Sequence, residues 1–170
     1  PVRTFQGANL TGVVEVAVGG SHACARLTIG QVRCWGFNLQ GQLGDGSNTE
    51  RLRPVAVRSV SGPGNLTGVV DIDAGYLHTC AVLESRQVRC WGLASSFQLG
   101  HGTDVDANRP VVVRNRTNTG PLTEATGVTT GDAHTCARLS NGQARCWGYD
   151  SLGALGNGGT QSQGTPTQVA

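Results

Sequence analysis

The chain is read as an all-β protein built from propeller-type blades of four antiparallel strands. Three observations carry that reading. Six positions recur at a step of 56, the apolar runs between them are four to six residues long, and the composition suits strands and turns better than helices. Of 170 residues, 26 are Gly and only 14% are charged, with 5% aromatic. All 13 basic residues are Arg, and Met is absent. So much Gly, Thr and Val, with few Glu or Ala runs, argues against a helical bundle. A net charge of +2 gives no reason to expect a nucleic-acid partner, and no apolar stretch approaches the roughly 18 residues of a membrane span. No signal peptide and no initiator Met are present, so Pro1 is expected to be a processed end or a fragment boundary.

The step of 56 relates Cys24, Cys80 and Cys136; Cys34, Cys90 and Cys146; Trp35, Trp91 and Trp147; and His22, His78 and His134. Gly44, Gly100 and Gly156 keep it, as do Pro54, Pro110 and Pro166. The repeats are placed at 1–53, 54–109 and 110–170, with blade hairpins at 22–36, 78–92 and 134–148, and the last copy carries the start of a further strand. Each copy opens with a β-branched run (Val13, Val14, Val16; Val69, Val70, Ile72; Val128) and then a Gly at 19, 75 or 131. HACARL, HTCAVL or HTCARL follows, then a short turn into QVRCWG or QARCWG. A glycine-rich stretch comes next (GQLGDG, FQLGHG, GALGNG), and the copy closes on PVAV, PVVV or PTQV. Ser140-Asn141-Gly142 suits a three-residue hairpin loop with Gly in the left-handed position, as does Thr28-Ile29-Gly30. Glu84-Ser85-Arg86 puts Arg where Gly is permissive, so that turn is expected to be strained or different. Because the chain begins in PV and ends in PTQV, Pro1-Val2 is a candidate to complete a neighbouring blade.

With residues 28–30 as the loop, positions summing to 58 oppose each other, which sets Cys24 against Cys34. The equivalent pairs are Cys80 with Cys90 and Cys136 with Cys146. Opposed Cβ atoms in a non-hydrogen-bonded pair come within disulfide reach. Six cysteines allow 15 pairings, and the repeat favours the one inside each blade. Free buried thiols are a second reading. Zinc is a third, but C-x9-C across a hairpin does not resemble the close Cys pairs of zinc sites. Three planned disulfides imply an oxidising space, so an extracellular, secreted or cell-surface location is expected. The sequons at Asn9, Asn65 and Asn115 make N-linked glycans candidates there.

AGYLHTCAV…QVRCWG…FQLGHG and GGSHACARL…QVRCWG…GQLGDG resemble the regulator of chromosome condensation repeat family, including its bacterial α-tubulin suppressor-like members. The resemblance covers essentially the whole chain. It implies a propeller of four-stranded blades, typically seven, and the cysteines point to an extracellular branch. Departures are VGGSH in the first copy, GALG in the third, and three repeats where closed rings use about four to eight blades. Open edges then invite pairing with further repeats, a second chain or a filament.

Trp35, Trp91 and Trp147 are expected as blade-core filling with the indole N–H satisfied by a neighbour. His22, His78 and His134, coming from different blades and held far apart, are expected to fix the tight turn by hydrogen bonds rather than to form a metal ring. Arg33, Arg89 and Arg145 read as stems packed along the blade. Asp45, Asp71, Asp73, Asp104 and Asp106 read as scattered, and Asp104-Val105-Asp106 lacks the ligand ladder of a calcium loop. No nucleophile motif or phosphate-cradling loop is present, so no catalytic, cofactor or metal residue is assigned. The expected function is a non-enzymatic module for protein binding or scaffolding, with 48–53 and 103–109 as its interaction loops. The alternatives are a subunit or segment of an extracellular filament or sheath, a secreted enzyme inhibitor and, from the family's nuclear namesake, nucleotide exchange on a small GTPase.

Overall fold

The computed structural model describes Val2 and residues 8–170. Among these the regular elements are twelve strands in three sheets of four, ordered β1-β2-β3-β4, β5-β6-β7-β8 and β12-β11-β10-β9. Blade 1 is β1 (Val13–Val18), β2 (His22–Leu27), β3 (Val32–Gly36) and β4 (Arg51–Ala56). Blade 2 is β5 (Val69–Ala74), β6 (His78–Leu83), β7 (Val88–Gly92) and β8 (Ala107–Val112). Blade 3 is β9 (Ala125–Thr130), β10 (His134–Leu139), β11 (Ala144–Gly148) and β12 (Gln163–Gln168). Each sheet is built from four consecutive strands, and the boundaries 53/54 and 109/110 fall inside β4 and β8. Pro1, and with it the candidate Pro1-Val2 strand, lies outside the described residues.

The central hairpin of each blade has one register. Cys24 faces Cys34, Cys80 faces Cys90 and Cys136 faces Cys146. All three pairs are bridged, with Cα atoms 4.1 Å apart. The hairpin loops close on a left-handed residue: Gly30 (φ 68°), Gly142 (φ 83°) and, without glycine's freedom, Arg86 (φ 59°). Pro54, Pro110 and Pro166 lie on the last strand of each sheet, where a missing N–H costs no ladder bond on the free edge.

The blades fan out from the inner strands β1, β5 and β9, which lie beside one another. Two apolar clusters fill the joints. The first packs Cys24, Val32, Cys34 and Leu43 of blade 1 against Ile72, Ala81 and Trp91 of blade 2. The second packs Cys80, Val88, Cys90 and Leu99 against Ala125, Ala137 and Trp147 of blade 3. Each blade thus has a front face bearing its disulfide and a back face bearing its Trp. Gly19 is required by a close approach: a Cβ there would collide with the Gly75 carbonyl and the His22 ring, and Gly75 meets Gly131 and His78 in the same way.

Candidate protein-binding surface

Each joint also carries a short polar relay. His22 Nε2 lies 2.8 Å from Thr79 Oγ1, whose hydroxyl donates to the Gln42 carbonyl at 3.0 Å. The same carbonyl takes the Trp91 indole N–H at 2.9 Å. At the second joint the distances are 2.9 Å for His78 to Thr135, 2.9 Å for Thr135 to the Gln98 carbonyl and 2.9 Å for Trp147 to that carbonyl. A threonine hydroxyl has one proton. Since it goes to the carbonyl, Nε2 is the protonated nitrogen of each imidazole. Nδ1 of both rings is buried and makes no hydrogen bond. Burial lowers the pKa of His22 to about 4 and of His78 to about 3, the latter helped by the flanking histidines. One sequence expectation is therefore corrected: His22 and His78 bond across the joint to the next blade rather than within their turn. Among the described residues no group of three or more His, Cys, Asp or Glu could hold a metal ion.

Two aspartates join the inner strands. Asp71 Oδ2 accepts from Val128 N–H at 2.7 Å, and Asp73 Oδ2 from Thr130 N–H at 2.7 Å. Burial raises the Asp71 pKa against the Val128 hydrogen bond, and the Glu15 and Asp73 carboxyls push it the same way. In the sequence these residues read as scattered. The signal was the alternation in VVDIDA, which puts both carboxylates on one face of β5. The recurrent arginines bond locally: Arg33 and Arg89 donate to Gln31 and Gln87 side chains and to the Val32 and Val88 carbonyls.

Among the described residues, no further blade packs on the outer faces of the array. On the back of blade 1, Trp35 is half-buried, and Val16 and Val18 are 56% and 71% exposed. The front of blade 3 holds an open cleft of about 360 Å³ lined by Thr129, Cys136, Arg138 and Ala144 among others.

Strand direction puts the three β3–β4-type loops (37–50, 93–106 and 149–162) on one rim, and the hairpin turns and inter-blade loops on the other. Of the expected interaction segments, Arg51–Arg53 and Ala107–Arg109 belong to β4 and β8, so the loop proper is shorter. The loops are held by their own side chains. Asn38 Nδ2 donates to the Ser47 and Thr49 carbonyls at 3.0 and 2.9 Å, and its Oδ1 takes Leu43 N–H at 2.9 Å. Asp45 is pushed up by burial, but hydrogen bonds from Ser47 and Arg51 outweigh this and leave its pKa below the usual value. Loop 2 is capped by Asp106, which takes Ala94 N–H at 2.7 Å, and by His101 and Thr103, 2.8 Å apart. Neighbouring blades are tied by Asn108 Nδ2 to Asn48 Oδ1 at 2.9 Å and by Arg109 to the Gly62 carbonyl at 2.8 Å, beside a cleft of about 290 Å³. Exposed apolar side chains stand on this rim: Leu39, Leu52, Val105 and Leu152.

Rigid disulfide-bridged blades with loops pinned at one rim define a propeller-type repeat array. Comparison with known proteins supplies the family. The model for the "Regulator of chromosome condensation (RCC1) repeat" matches residues 13–42, 69–98 and 125–154, and a second model of the same description matches 30–82 and 87–138. The chain belongs to the RCC1 repeat family. It is 31% identical over 169 residues to human E3 ubiquitin-protein ligase HERC2, covering 98% of this chain and 4% of that protein. It is 35% identical over 101 residues to the Arabidopsis thaliana Ultraviolet-B receptor UVR8, covering 59% of this chain and 22% of the receptor. Among solved structures, Prp20p from Saccharomyces cerevisiae matches 95% of this chain and 39% of its own, with a TM-score of 0.78 at 22% identity. Human WBSCR16 matches 94% and 38%, with a TM-score of 0.79 at 22% identity. These two likenesses establish the fold. The chain spans well under half of each of these relatives. No described helix is long and apolar enough to cross a membrane.

Proposed function

We propose that this chain is a non-enzymatic protein-binding or scaffolding module working in a secreted or cell-surface setting, with the β3–β4-type loop rim as its contact surface. The observation that carries this is the combination on that rim of pinned loops with exposed Leu39, Leu52, Val105 and Leu152. Apolar side chains held in place on a rigid scaffold lose little freedom on binding. Protein binding also figures in work on the fold's relatives: the Prp20p structure is described with its binding properties to Gsp1p and histones, and another contains Kap60 bound to yeast RCC1. The ligase activity in HERC2's name belongs to a protein of which this chain matches 4%, and it is not carried over.

Three disulfides support the oxidising location. The sequons fit the same reading, since Asn9 is exposed and Asn65 and Asn115 lie half-buried on inter-blade loops. Asn115 Oδ1 accepts from Thr117 Oγ1 at 3.1 Å and from Thr119 N–H at 3.0 Å. Glycans there would stand on the rim opposite the proposed contact loops.

The test is capture of partners from the native extracellular medium by wild type, by the variant L39S/L52S/V105S/L152S, and by Ile29→Ser on the opposite rim. The rim variant is expected to lose the captured protein at unchanged Tm while Ile29→Ser keeps it. Equal capture by all three overturns the reading. A second reading, a filament subunit assembling through blade faces, is favoured by the exposed valines on the back of blade 1. Native mass separates the two, because a filament grows with concentration and a binding module does not.

A further inference from the structure

The three β3–β4-type loops share one backbone path but not one set of side chains. Between loops 1 and 3 the glycines keep their left-handed angles: Gly41 and Gly153 at φ 83° and 77°, Gly44 and Gly156 at 66° and 61°, Gly46 and Gly158 at 82° and 79°. Asn38 of loop 1 becomes Asp150 in loop 3. One oxygen keeps its role, since Asp150 Oδ1 takes Leu155 N–H at 3.1 Å as Asn38 Oδ1 takes Leu43 N–H at 2.9 Å. The other position inverts. In loop 1 an amide N–H₂ donates to the Ser47 and Thr49 carbonyls. In loop 3 the same place holds a carboxylate oxygen, and the repeat register sets the Gly159 and Gln161 carbonyls at the positions of Ser47 and Thr49. Asp150 is fully buried, and its Oδ2 makes no hydrogen bond.

A buried carboxylate oxygen without a donor is costly. Neighbouring carbonyls cannot relieve the ionised group, because all of these atoms are acceptors. Asn157 adds another by the repeat register: it matches Asp45, whose Oδ1 lies 3.4 Å from Asn38 Nδ2, and its own Oδ1 takes Gly159 N–H at 2.9 Å. The Gln161 carbonyl accepts from Gln163 Nε2 at 2.9 Å and keeps one lone pair free. Oxygens of carboxylate, amide and backbone carbonyl, converging without donors, are the ligand set of a hard cation.

We propose that loop 149–162 binds a calcium ion between Asp150 Oδ2, Asn157 Oδ1 and the carbonyls of Gly159 and Gln161. Flexible carbonyl ligands suit Ca²⁺ better than Mg²⁺, which demands a near-ideal octahedron. With a single carboxylate the affinity belongs at the weak end, about 10⁻⁴–10⁻³ M, the range of extracellular calcium modules. The site lies on the rim proposed above for protein contact, and its calcium readouts need no partner. In blade 2 the corresponding residue is Ala94, so loop 2 has no counterpart, and loop 1 has its amide. One site per chain follows.

The test is thermal unfolding of the whole chain with CaCl₂ or MgCl₂, together with calcium dialysis. Wild type is expected to bind one Ca²⁺ and to gain about 3–6 °C in Tm at ten times Kd. Asp150→Asn restores blade 1's own amide, so it is expected to fold, to show no calcium response, and to exceed wild type in Tm without cation. The proposal is overturned if wild type neither binds nor responds to Ca²⁺, or if Asp150→Asn responds equally.

Discussion

Replacing Thr135 by Val removes one hydroxyl from the second joint and leaves its volume nearly unchanged. Thr135 is fully buried, accepts from His78 Nε2 at 2.9 Å and donates to the Gln98 carbonyl at 2.9 Å. The carbonyl keeps its bond from Trp147. The imidazole has no alternative, because its Nε2–H would be buried without an acceptor. One lost bond of about 1 kcal/mol and one orphaned donor of about 1–3 kcal/mol give a cost of about 2–4 kcal/mol. For a chain of this size that is roughly 5–15 °C in Tm. The assay is urea unfolding, reading the midpoint at constant slope beside Thr79→Val, the same change at the first joint, and Ala23→Thr. Ala23 occupies the equivalent position on the back of blade 1, where no histidine arrives, so its change is expected to stay within about 0.5 kcal/mol. A Thr135→Val protein within that margin of wild type would refute the relay.

Lowering the pH is expected to unfold the joints. His22 and His78 have folded pKa values of about 4 and about 3, below the ordinary 6.5. Their contribution is whole above about pH 6.5 and is lost as pH falls from there toward those values, at up to about 1.4 kcal/mol per pH unit for each ring. Asp71, raised by burial, opposes this at the acid end. A urea midpoint that stays flat from pH 7 to pH 5 contradicts the assignment. Under mild reductant Cys136–Cys146 is expected to open first, because Cys136 is half-buried on the uncovered front of blade 3 while the four cysteines of the other bridges are fully buried. Timed alkylation and peptide mass read the order, and simultaneous opening counts against it. Gly75→Ala is expected to cost about 3 kcal/mol or more through collision with the Gly131 carbonyl, whereas Gly142→Ala, with open space around it, costs about 1–2 kcal/mol for its φ of 83°. Arg86→Gly is expected to stabilise by about 1 kcal/mol, because φ 59° favours glycine, and denaturant midpoints settle both comparisons.

The blades and their bridges were legible because they rest on local rules. A loop of fixed length sets Cys24 opposite Cys34, and period-2 alternation names the strands. The joints were not legible to the same depth. That Trp91 is buried follows from its type. That its indole reaches the Gln42 carbonyl depends on how far one blade rotates on the next, which no local pattern encodes. The histidines show the same limit: their 56-residue recurrence marked them as structural, but the partner hydroxyl lies one blade away. Asp150 was missed altogether. The 56-residue step sets Asp150 in the place of Asn38, but only the structure shows that the carboxylate is buried with one oxygen lacking a donor.

The two joints also bear on how copies of the chain can meet. Stacking the front of blade 3 on the back of blade 1 from another copy would repeat the internal joint only if the same donors and acceptors faced each other. Trp35 would find the carbonyl at position 154, but His134 would meet Ala23 instead of a threonine hydroxyl. Gly127 and Thr129 stand where blade 2 offers Asp71 and Asp73, so the bonds that join β5 to β9 would have no counterpart. The apolar stripe of Val13, Val16 and Val18 supplies adhesion without register. A contact of that kind loses the polar bonds that make the internal joints specific. The filament reading therefore needs a different geometry from the one the chain uses between its own blades. The binding reading needs no new joint, because the contact loops keep their hydrogen bonds whichever surface covers the end faces.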